Sequence, residues 1–282
     1  MSFVHHSLML LEDAGMFIGY PEINWITRNE DGESTRHMRF SSIQGRRVSI
    51  EQSPHMKFMM IFSLLDFHVD TMHPGMEGKS YRQKYEDLPA SGDYDLILRE
   101  LFRVSKVIRN ALVHNPSSFD IANGQVNIDY TRGKINFRMG MSMEALAGFY
   151  TAIVMYLKGD MGRGNYFLGI MRSIYSNVLM GIKVFNDEFG NALEKPSSGI
   201  KMKWHTRLVH SNPQHHVNEG RIRILHPDRK LQPWEGLDFH IKHNSDEFLI
   251  PLEALNEDLS ISELDLVNNW KREGRFPQVK EP

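Results

Sequence analysis

The sequence DYDLILRELFRVSKVIRNALVHNP, residues 93–116, decides the fold because apolar side chains recur in it at every third or fourth position. This spacing predicts an amphipathic helix with one apolar stripe facing a core. The stripe consists of Ile97, Leu101, Val104, Ile108 and Leu112. The polar residues predicted on the opposite side are Arg99, Arg103, Lys106 and Asn110. We expect Asp93 to cap this helix and Asn115 and Pro116 to end it, because the residue before a proline avoids the helical conformation.

Other helices are predicted on both sides of this segment. Ser53 and Pro54 are a typical N-cap and first helical residue, and their helix is predicted to extend to about Met72. The remaining predicted helices span residues 81–88, 142–159 and about 165–189. A β-hairpin is predicted over residues 119–138. Residues 53–199 are therefore predicted to form a central helical bundle with an inserted β-hairpin.

Strand-like segments flank this predicted bundle. Residues 1–52 contain an apolar stretch over residues 3–11 and short β-like pieces, which predict a mixed N-terminal region. Residues 200–282 contain short alternating segments that predict a β-rich C-terminal region, with a terminal helix that begins at Ser260 or Ser262. The predicted fold class is mainly α with β-containing flanks, which makes an α+β protein.

The composition restricts the classes of function. Of the 282 residues, 33 are Lys or Arg and 35 are Asp or Glu, so no overall basic field attracts nucleic acid. The absence of cysteine excludes disulfides, thiolate metal sites and a cysteine nucleophile. The longest uncharged apolar run, residues 145–157, is too short to span a bilayer, and the first residues lack the features of a signal peptide. We expect a soluble cytoplasmic protein without a membrane partner.

The end of the predicted helix contains the motif Arg109-Asn110-x3-His114. An arginine five residues before a histidine occurs a second time, at Arg221 and His226. That second segment alternates like a strand, and no asparagine follows its arginine. Only the first pair is therefore a candidate site.

An Arg-Asn-x3-His motif at the end of a helix resembles the HEPN superfamily, and the resemblance covers about residues 53–190. It implies a metal-independent endoribonuclease, as in toxin or anti-phage defence proteins, with Arg109, Asn110 and His114 as catalytic residues. It also implies a homodimer that pairs two motifs, with RNA or a nucleotide as the ligand. An antitoxin or another partner protein would bind such a dimer.

The residue types of the motif support this chemistry independently of the resemblance. A histidine can take the proton of a ribose 2′-hydroxyl or return one to the leaving 5′-oxygen. An arginine can bind two phosphoryl oxygens, and an asparagine can orient either group. No cofactor is needed for these steps. We also expect Arg99, Arg103 and Lys106 to bind the RNA backbone, because phosphate contacts position a nucleic acid without reading its sequence.

The helical spacing of the motif sets a geometric condition. Five residues of a straight helix subtend about 500°, so Arg109 and His114 are expected to point about 140° apart. Either His114 lies past the helix end, or a second copy completes the site across a two-fold interface.

Several alternatives stay open for these residues. Arg109 and His114 can belong to a solvated helix end, where positive charge is favoured by the helix dipole. The protein can also be a non-catalytic dimer that binds a nucleotide or a protein, or a scaffold whose C-terminal region recognises a partner. No metal site is expected, because no histidine pair has i, i+4 spacing next to a glutamate.

Overall fold

The computed structural model describes residues 22–29, 32–39, 53–159, 161–197, 199–225 and 231–273. The chain divides into two compact units, residues 1–60 and 61–282. In the first unit, strand β1 (Glu22–Asn29) pairs antiparallel with strand β2 (Gly32–Arg39). The expected apolar helix over residues 3–11 lies outside the described residues.

Five helices follow in the described residues up to position 181, and two serines cap their helices with side-chain hydrogen bonds. The helices are α1 (Pro54–Met72), α2 (Tyr81–Asp87), α3 (Asp93–His114), α4 (Met143–Lys158) and α5 (Asn165–Gly181). Ser80 forms a capping box with Gln83, in which each side chain bonds the backbone N–H of the other residue. Ser142 accepts a hydrogen bond from the backbone N–H of Ala145 at 3.1 Å.

Helix α3 has the predicted extent, but its polar side chains are not where we predicted them. The helix begins after Gly92, so Asp93 is its first residue rather than its cap. The carboxylate of Asp93 accepts hydrogen bonds from Arg172 at 2.5 Å and from the backbone N–H of Ser197 at 2.7 Å. The buried polar residues of α3 are Asp93, Glu100, Arg103, Ser105 and Lys106. The polar side of α3 is therefore largely an interior surface.

A four-stranded antiparallel sheet packs against helices α3 and α4. Its strands, in spatial order, are β3 (Phe119–Ala122), β4 (Gln125–Arg132), β5 (Ile135–Ser142) and β6 (Ile182–Asn186). Gly133 and Lys134 form the two-residue turn between β4 and β5, and Gly133 has a φ of +64° there. The buried side chains of this sheet include Val126, Ile128, Tyr130, Phe137, Met139 and Met141. The hairpin is therefore half of a larger sheet.

The helix predicted to end near residue 189 ends at Gly181, and strand β6 begins at the next residue. A Cβ at Gly181 would clash with Cβ of Ala145 and lie 2.9 Å from Oγ of Ser142, so glycine lets α5 end against the start of α4. Strand β6 then pairs with β5. The predicted central helical bundle is wrong, because an antiparallel sheet packs against these helices.

The C-terminal part contains two three-stranded sheets and a short helix. Strand β10 lies between β7, to which it is parallel, and β11, to which it is antiparallel, while β9 lies between β8 and β12. The strands are β7 (Thr206–Ser211), β8 (His215–Asn218), β9 (Arg221–Ile224), β10 (Glu235–His243), β11 (Asp246–Pro251) and β12 (Ser260–Ser262). Ser262 caps helix α6 (Glu263–Asn269). These elements share one core, which includes Phe239, Phe248 and Trp270.

The described residues thus form an α+β protein in which helices and sheets alternate along the chain. Among the helices of these residues, none has both the length and the apolar composition needed to cross a membrane.

Candidate functional site

A cleft of about 630 Å³ lies at the C-terminal end of α3. Its walls come from α3, from α2 and the loop before it, and from the turn between β4 and β5. The described lining residues are Asp66, Gly78, Lys79, Ser80, Tyr81, Arg82, Lys84, Lys106, Arg109, Asn110, His114, Arg132, Ile135, Phe137 and Glu188. All three residues of the predicted motif therefore face the same cleft.

Arg109 and His114 are in direct contact within this cleft. Nη1 of Arg109 lies 2.7 Å from Nε2 of His114. His114 is the last residue of α3 and is exposed, so it does not lie past the helix end. The long arginine side chain bridges the angle between the two positions on the helix, because its guanidinium lies several bonds away from the backbone.

The contact fixes the protonation pattern of the imidazole. An arginine guanidinium has only N–H donors and keeps its charge, so it donates to Nε2 of His114. Nε2 is therefore the acceptor in this contact, which leaves Nδ1 as the nitrogen that carries the ring proton. The lone pair that a general base would use is on Nε2, and Arg109 occupies it.

Tyr81 supports the guanidinium of Arg109 from the other side of the cleft. The guanidinium carbon lies 5.1 Å from the centroid of the Tyr81 ring, which is a cation–π distance. Tyr81 itself packs edge-on against Phe62 and Phe102, with ring centroids 5.2 Å and 6.2 Å away. The arginine is thus held by a ring that the core keeps in place.

Asn110 also contacts the guanidinium of Arg109. Its Oδ1 accepts a hydrogen bond of 3.2 Å from Nη1 of Arg109, so the amide helps to orient the guanidinium. Burial, and then the charge of Glu188, raise the pKa of nearby Tyr130 to about 12, although the Asn110 side chain acts in the opposite direction. The phenol of Tyr130 is therefore neutral at physiological pH.

Most cations of the cleft are already paired with carboxylates. The pairs are Lys79 with Asp87, Arg82 with Glu86, Lys84 with Asp66 and Asp70, and Lys106 with Glu188. Within the described part of the chain, Arg109 and Arg132 are the lining cations with no carboxylate within 4.0 Å. Two guanidinium groups are thus available for an anion in the cleft.

The predicted basic stripe for RNA is wrong at Arg103, which is completely buried. Its guanidinium donates to both carboxylate oxygens of Asp187, at 2.8 Å and 2.7 Å, and to the side chain and backbone of Asn191. Burial opposes the charge of Arg103, but the hydrogen bond to Asp187 and the charges of Asp187 and Glu100 outweigh it and raise the pKa of Arg103. Arg103 holds the structure together and cannot contact a nucleic acid from this position.

Lys106 and Arg99 also differ from the prediction. Lys106 is buried, and its ammonium group pairs with Glu188 and lies 3.8 Å from Asp187. Burial lowers the pKa of Lys106, and the two carboxylates oppose that shift. The guanidinium of half-buried Arg99 stacks on the ring of Tyr85 at 4.6 Å. None of the three forms an exposed strip along which a phosphate backbone could lie.

Sequence reasoning missed Tyr81 and Arg132. Tyr81 precedes Arg109 by 28 residues and Arg132 follows it by 23, so no local spacing connects either of them to Arg109. The turn at Gly133 was predictable from the sequence, but its position beside the end of α3 depends on how β4 packs against that helix. Tertiary packing, rather than a local pattern, brings both residues to the cleft.

No group of three or more histidine, aspartate or glutamate side chains in the described ranges is arranged to hold a metal ion. Comparisons of the chain with protein-family models, with characterised proteins and with solved structures give no match. The candidate site therefore rests on the geometry of the cleft and on the motif.

Proposed function

We propose that the protein is an endoribonuclease whose active site is the cleft of Arg109 and His114, and that this site works without a metal ion. The contact of 2.7 Å between the guanidinium of Arg109 and the imidazole of His114 carries the proposal. It places a group that can bind phosphate next to a group that can act as a base. A cleft of about 630 Å³ has the size of typical small-ligand pockets and can accept a nucleotide unit. The resemblance of the motif to HEPN proteins favours RNA over other phosphodiesters.

The proposed reaction is an internal transesterification. The ribose 2′-oxygen forms a bond to phosphorus while the bond from phosphorus to the 5′-oxygen breaks, which yields a 2′,3′-cyclic phosphate and a 5′-hydroxyl. The proton of the 2′-hydroxyl goes to Nε2 of His114. Arg109 covers Nε2 in the free protein, so the base acts only after the guanidinium has moved.

The substrate phosphate itself provides the reason for that movement. Charge-assisted, bidentate hydrogen bonds from arginine to phosphate are stronger than one bond to a neutral imidazole nitrogen. A phosphate in the cleft therefore draws Arg109 onto its own oxygens and frees the lone pair of His114. Arg132, at the β4–β5 turn, would bind the same or the next phosphate of the strand.

The leaving 5′-oxygen needs a proton from a second group. His114 is the one histidine among the described residues that line the cleft. We assign the second proton to the Nε2–H of a protonated His114 of another copy across a two-fold interface, which has taken that proton from solvent after its own Arg109 has moved. The HEPN resemblance also implies such a pair. The rate per chain should then increase with protein concentration until the dimer is complete.

Cleavage of a labelled RNA in the presence of EDTA tests the proposal. Because the base and the phosphate ligand are lost, we expect His114→Ala and Arg109→Ala each to lose activity by about 100-fold or more. His216→Ala is the matched control, because His216 is exposed on β8 and does not line the cleft. Equal rates for all four proteins would reject the site.

A second candidate function is nucleotide binding at the same cleft without cleavage. The observation that favours it is the occupied lone pair of His114, because an imidazole that keeps its bond to Arg109 cannot act as a base. This candidate predicts that a nucleotide raises the melting temperature of the wild type but not of Arg109→Ala, while RNA stays intact.

On the basis of the resemblance to HEPN proteins, we also propose a biological role as a toxin or defence protein. It predicts that expression of the wild type arrests growth and that His114→Ala relieves the arrest. An antitoxin would be sought as a protein that binds the wild type and restores growth.

A further inference from the structure

A second pocket, separate from the cleft in its lining, lies between the second half of α5 and the chain that leads into β7. Its volume is about 650 Å³, within the usual range for small-ligand sites. Its charged and aromatic lining residues are Lys195, Lys201, Lys203, Trp204, His205 and Trp234. None of the lining residues is shared with the cleft of Arg109.

Aromatic surface is available in this pocket. The Trp234 side chain is 57% exposed, although a large apolar ring is normally buried. The ring of His205 stacks on Trp204, with centroids 3.8 Å apart and planes inclined by 29°. An exposed indole beside a stacked pair is the kind of surface on which a planar ring, such as a nucleobase, stacks.

A buried indole N–H supplies a second, independent observation. Nε1 of Trp204 is shielded from solvent, and it finds no hydrogen-bond acceptor among the described residues. A buried donor without an acceptor costs free energy, so buried indole N–H groups are normally paired. Nε1 is closed to solvent, so the indole of Trp204 has to shift before a ligand can bring an acceptor to it.

The charge of the lining favours an anion. Lys195, Lys201 and Lys203 are exposed and line the pocket, and the described lining contains no carboxylate. Within the described ranges, none of the three ammonium groups has a carboxylate at ion-pair distance. Their charge is therefore free to bind a phosphate.

We propose that this pocket binds a nucleotide, with the base on the tryptophan surface, an acceptor of the ligand at Nε1 of Trp204, and a phosphate at the lysines. A free mononucleotide and one nucleotide of a single strand share this chemistry. The site is independent of RNA cleavage in the cleft and stands whether or not the cleft is catalytic.

Isothermal titration of the full chain tests the site. The background variant Arg109→Ala/Arg132→Ala removes both unpaired guanidinium groups of the cleft and leaves the pocket lining unchanged, so binding that remains belongs to the pocket. The ligands are AMP and UMP, the nucleosides that lack the phosphate, ribose 5-phosphate, which lacks the base, and an uncleavable deoxytetranucleotide. We expect the mononucleotides to bind more tightly than either of their parts.

Variants of the pocket identify which groups bind. Trp234→Ala should weaken binding by about tenfold or more through the loss of stacking. Trp204→Phe keeps a ring but removes the N–H and should weaken binding by about fivefold. A Lys201→Gln/Lys203→Gln variant should weaken binding of AMP but not of adenosine. Lys242→Gln is the control, because Lys242 is exposed and lies outside this lining.

The results separate the two sources of ligand and can overturn the proposal. Equal affinity for AMP and the deoxytetranucleotide identifies a free nucleotide, and tighter binding of the tetranucleotide identifies a strand. Ribose 5-phosphate binding as tightly as AMP would reduce the site to a simple anion site and reject the proposal. Affinity unchanged in Trp234→Ala, or no binding of any ligand by the folded protein, would also reject it.

Discussion

Arg103 on α3 and Asp187, the residue after β6, are joined by two parallel hydrogen bonds of 2.8 Å and 2.7 Å. Neither side chain is exposed to solvent. The pair connects the helix that carries the candidate site to the end of a sheet strand 84 residues later. A buried bidentate pair of this kind stabilises only while both partners are present.

Asp187→Asn should therefore lower the free energy of unfolding strongly. The substitution removes the closer of the two buried carboxylates beside the Arg103 guanidinium and leaves Glu100, whose Oε2 lies 3.5 Å from Nη1. Breaking a buried pair costs about 3–5 kcal/mol. Asp129→Asn is the control, because Asp129 and its partner Arg138 are both more than half exposed. Urea unfolding should show a loss below about 1 kcal/mol for this control. A similar small loss for both variants would contradict the buried-pair interpretation.

Gly181→Ala should destabilise the junction of α5 and β6. Its methyl group would clash with Ala145, so α4 and α5 would have to separate, at a cost of about 1–3 kcal/mol. A methyl group at Gly140 would meet its neighbours at 3.8 Å or more. Gly140→Ala is therefore the control, and we expect its melting temperature to stay close to that of the wild type. The reverse order of the two melting temperatures would disprove the packing argument.

The stability contributed by Asp93 should depend on pH. Burial raises the pKa of Asp93, but hydrogen bonds from Ser197 and Arg172 outweigh it and hold the pKa below its usual value of 3.8. A carboxyl whose pKa is depressed in the folded state contributes stability above its unfolded pKa and loses it as the pH falls through the folded value.

Asp93→Asn should thus be less stable than the wild type by about 1–3 kcal/mol at pH 7, and the difference should shrink as the pH falls below about 3.8. Urea unfolding at several pH values between 7 and 3 measures this difference. Asp120→Asn, at an exposed position on β3, should differ little from the wild type at any pH. A difference for Asp93→Asn that stays constant across this range would refute the linkage.

The imidazole of His114 should carry its proton on Nδ1. Arginine can only donate, so Nε2 must accept the bond from Arg109. Nitrogen-15 chemical shifts of the ring distinguish the two tautomers directly. In Arg109→Ala the preference for Nδ1–H should weaken, while the spectrum of His216 should not change. A proton found on Nε2 of His114 in the wild type would exclude the contact.

Arg132 should contribute to substrate binding rather than to the chemical step. In the proposed reaction it contacts a phosphate at the rim of the cleft, so Arg132→Ala should raise KM about three- to tenfold and leave kcat nearly unchanged. Lys134→Ala is the control, because Lys134 lies in the same turn, is exposed, and does not line the cleft. Steady-state kinetics on a short RNA give both constants, and a selective loss of kcat would assign Arg132 a different role.

The local features of this fold were predictable from the sequence. The repeat of apolar residues predicted helix α3 and its end before Asn115, and Gly133 predicted the turn of the hairpin. Both signals are local, because each lies within a few residues of the feature that it predicts. The change from α5 to β6 was not predictable in the same way. Residues 182–186 continue the apolar character of the helix, and they become a strand because β5, some 40 residues earlier, offers them a pairing edge.

The site was predictable to a similar extent. Arg109, Asn110 and His114 lie in one cleft, but their helical spacing predicted that Arg109 and His114 would point apart, and the length of the arginine side chain brings the two groups together. Arg103 and Lys106 have the spacing of residues on a solvent-exposed helix face. They are buried instead because the carboxylates of Asp187 and Glu188 pair with them. A pattern within one helix cannot report such partners, because they reach it only through the tertiary fold.

No residue separates the end of α5 at Gly181 from the start of β6 at Ile182. The number of residues at this junction is therefore constrained, as well as their identity. Side chains of a strand alternate between two faces, so one residue inserted after Gly181 would turn β6 over. The same insertion would carry Asp187 away from Arg103. A connecting loop could accommodate an extra residue, but no loop separates α5 from β6. One added residue would therefore disturb both the sheet and the helix of the candidate site.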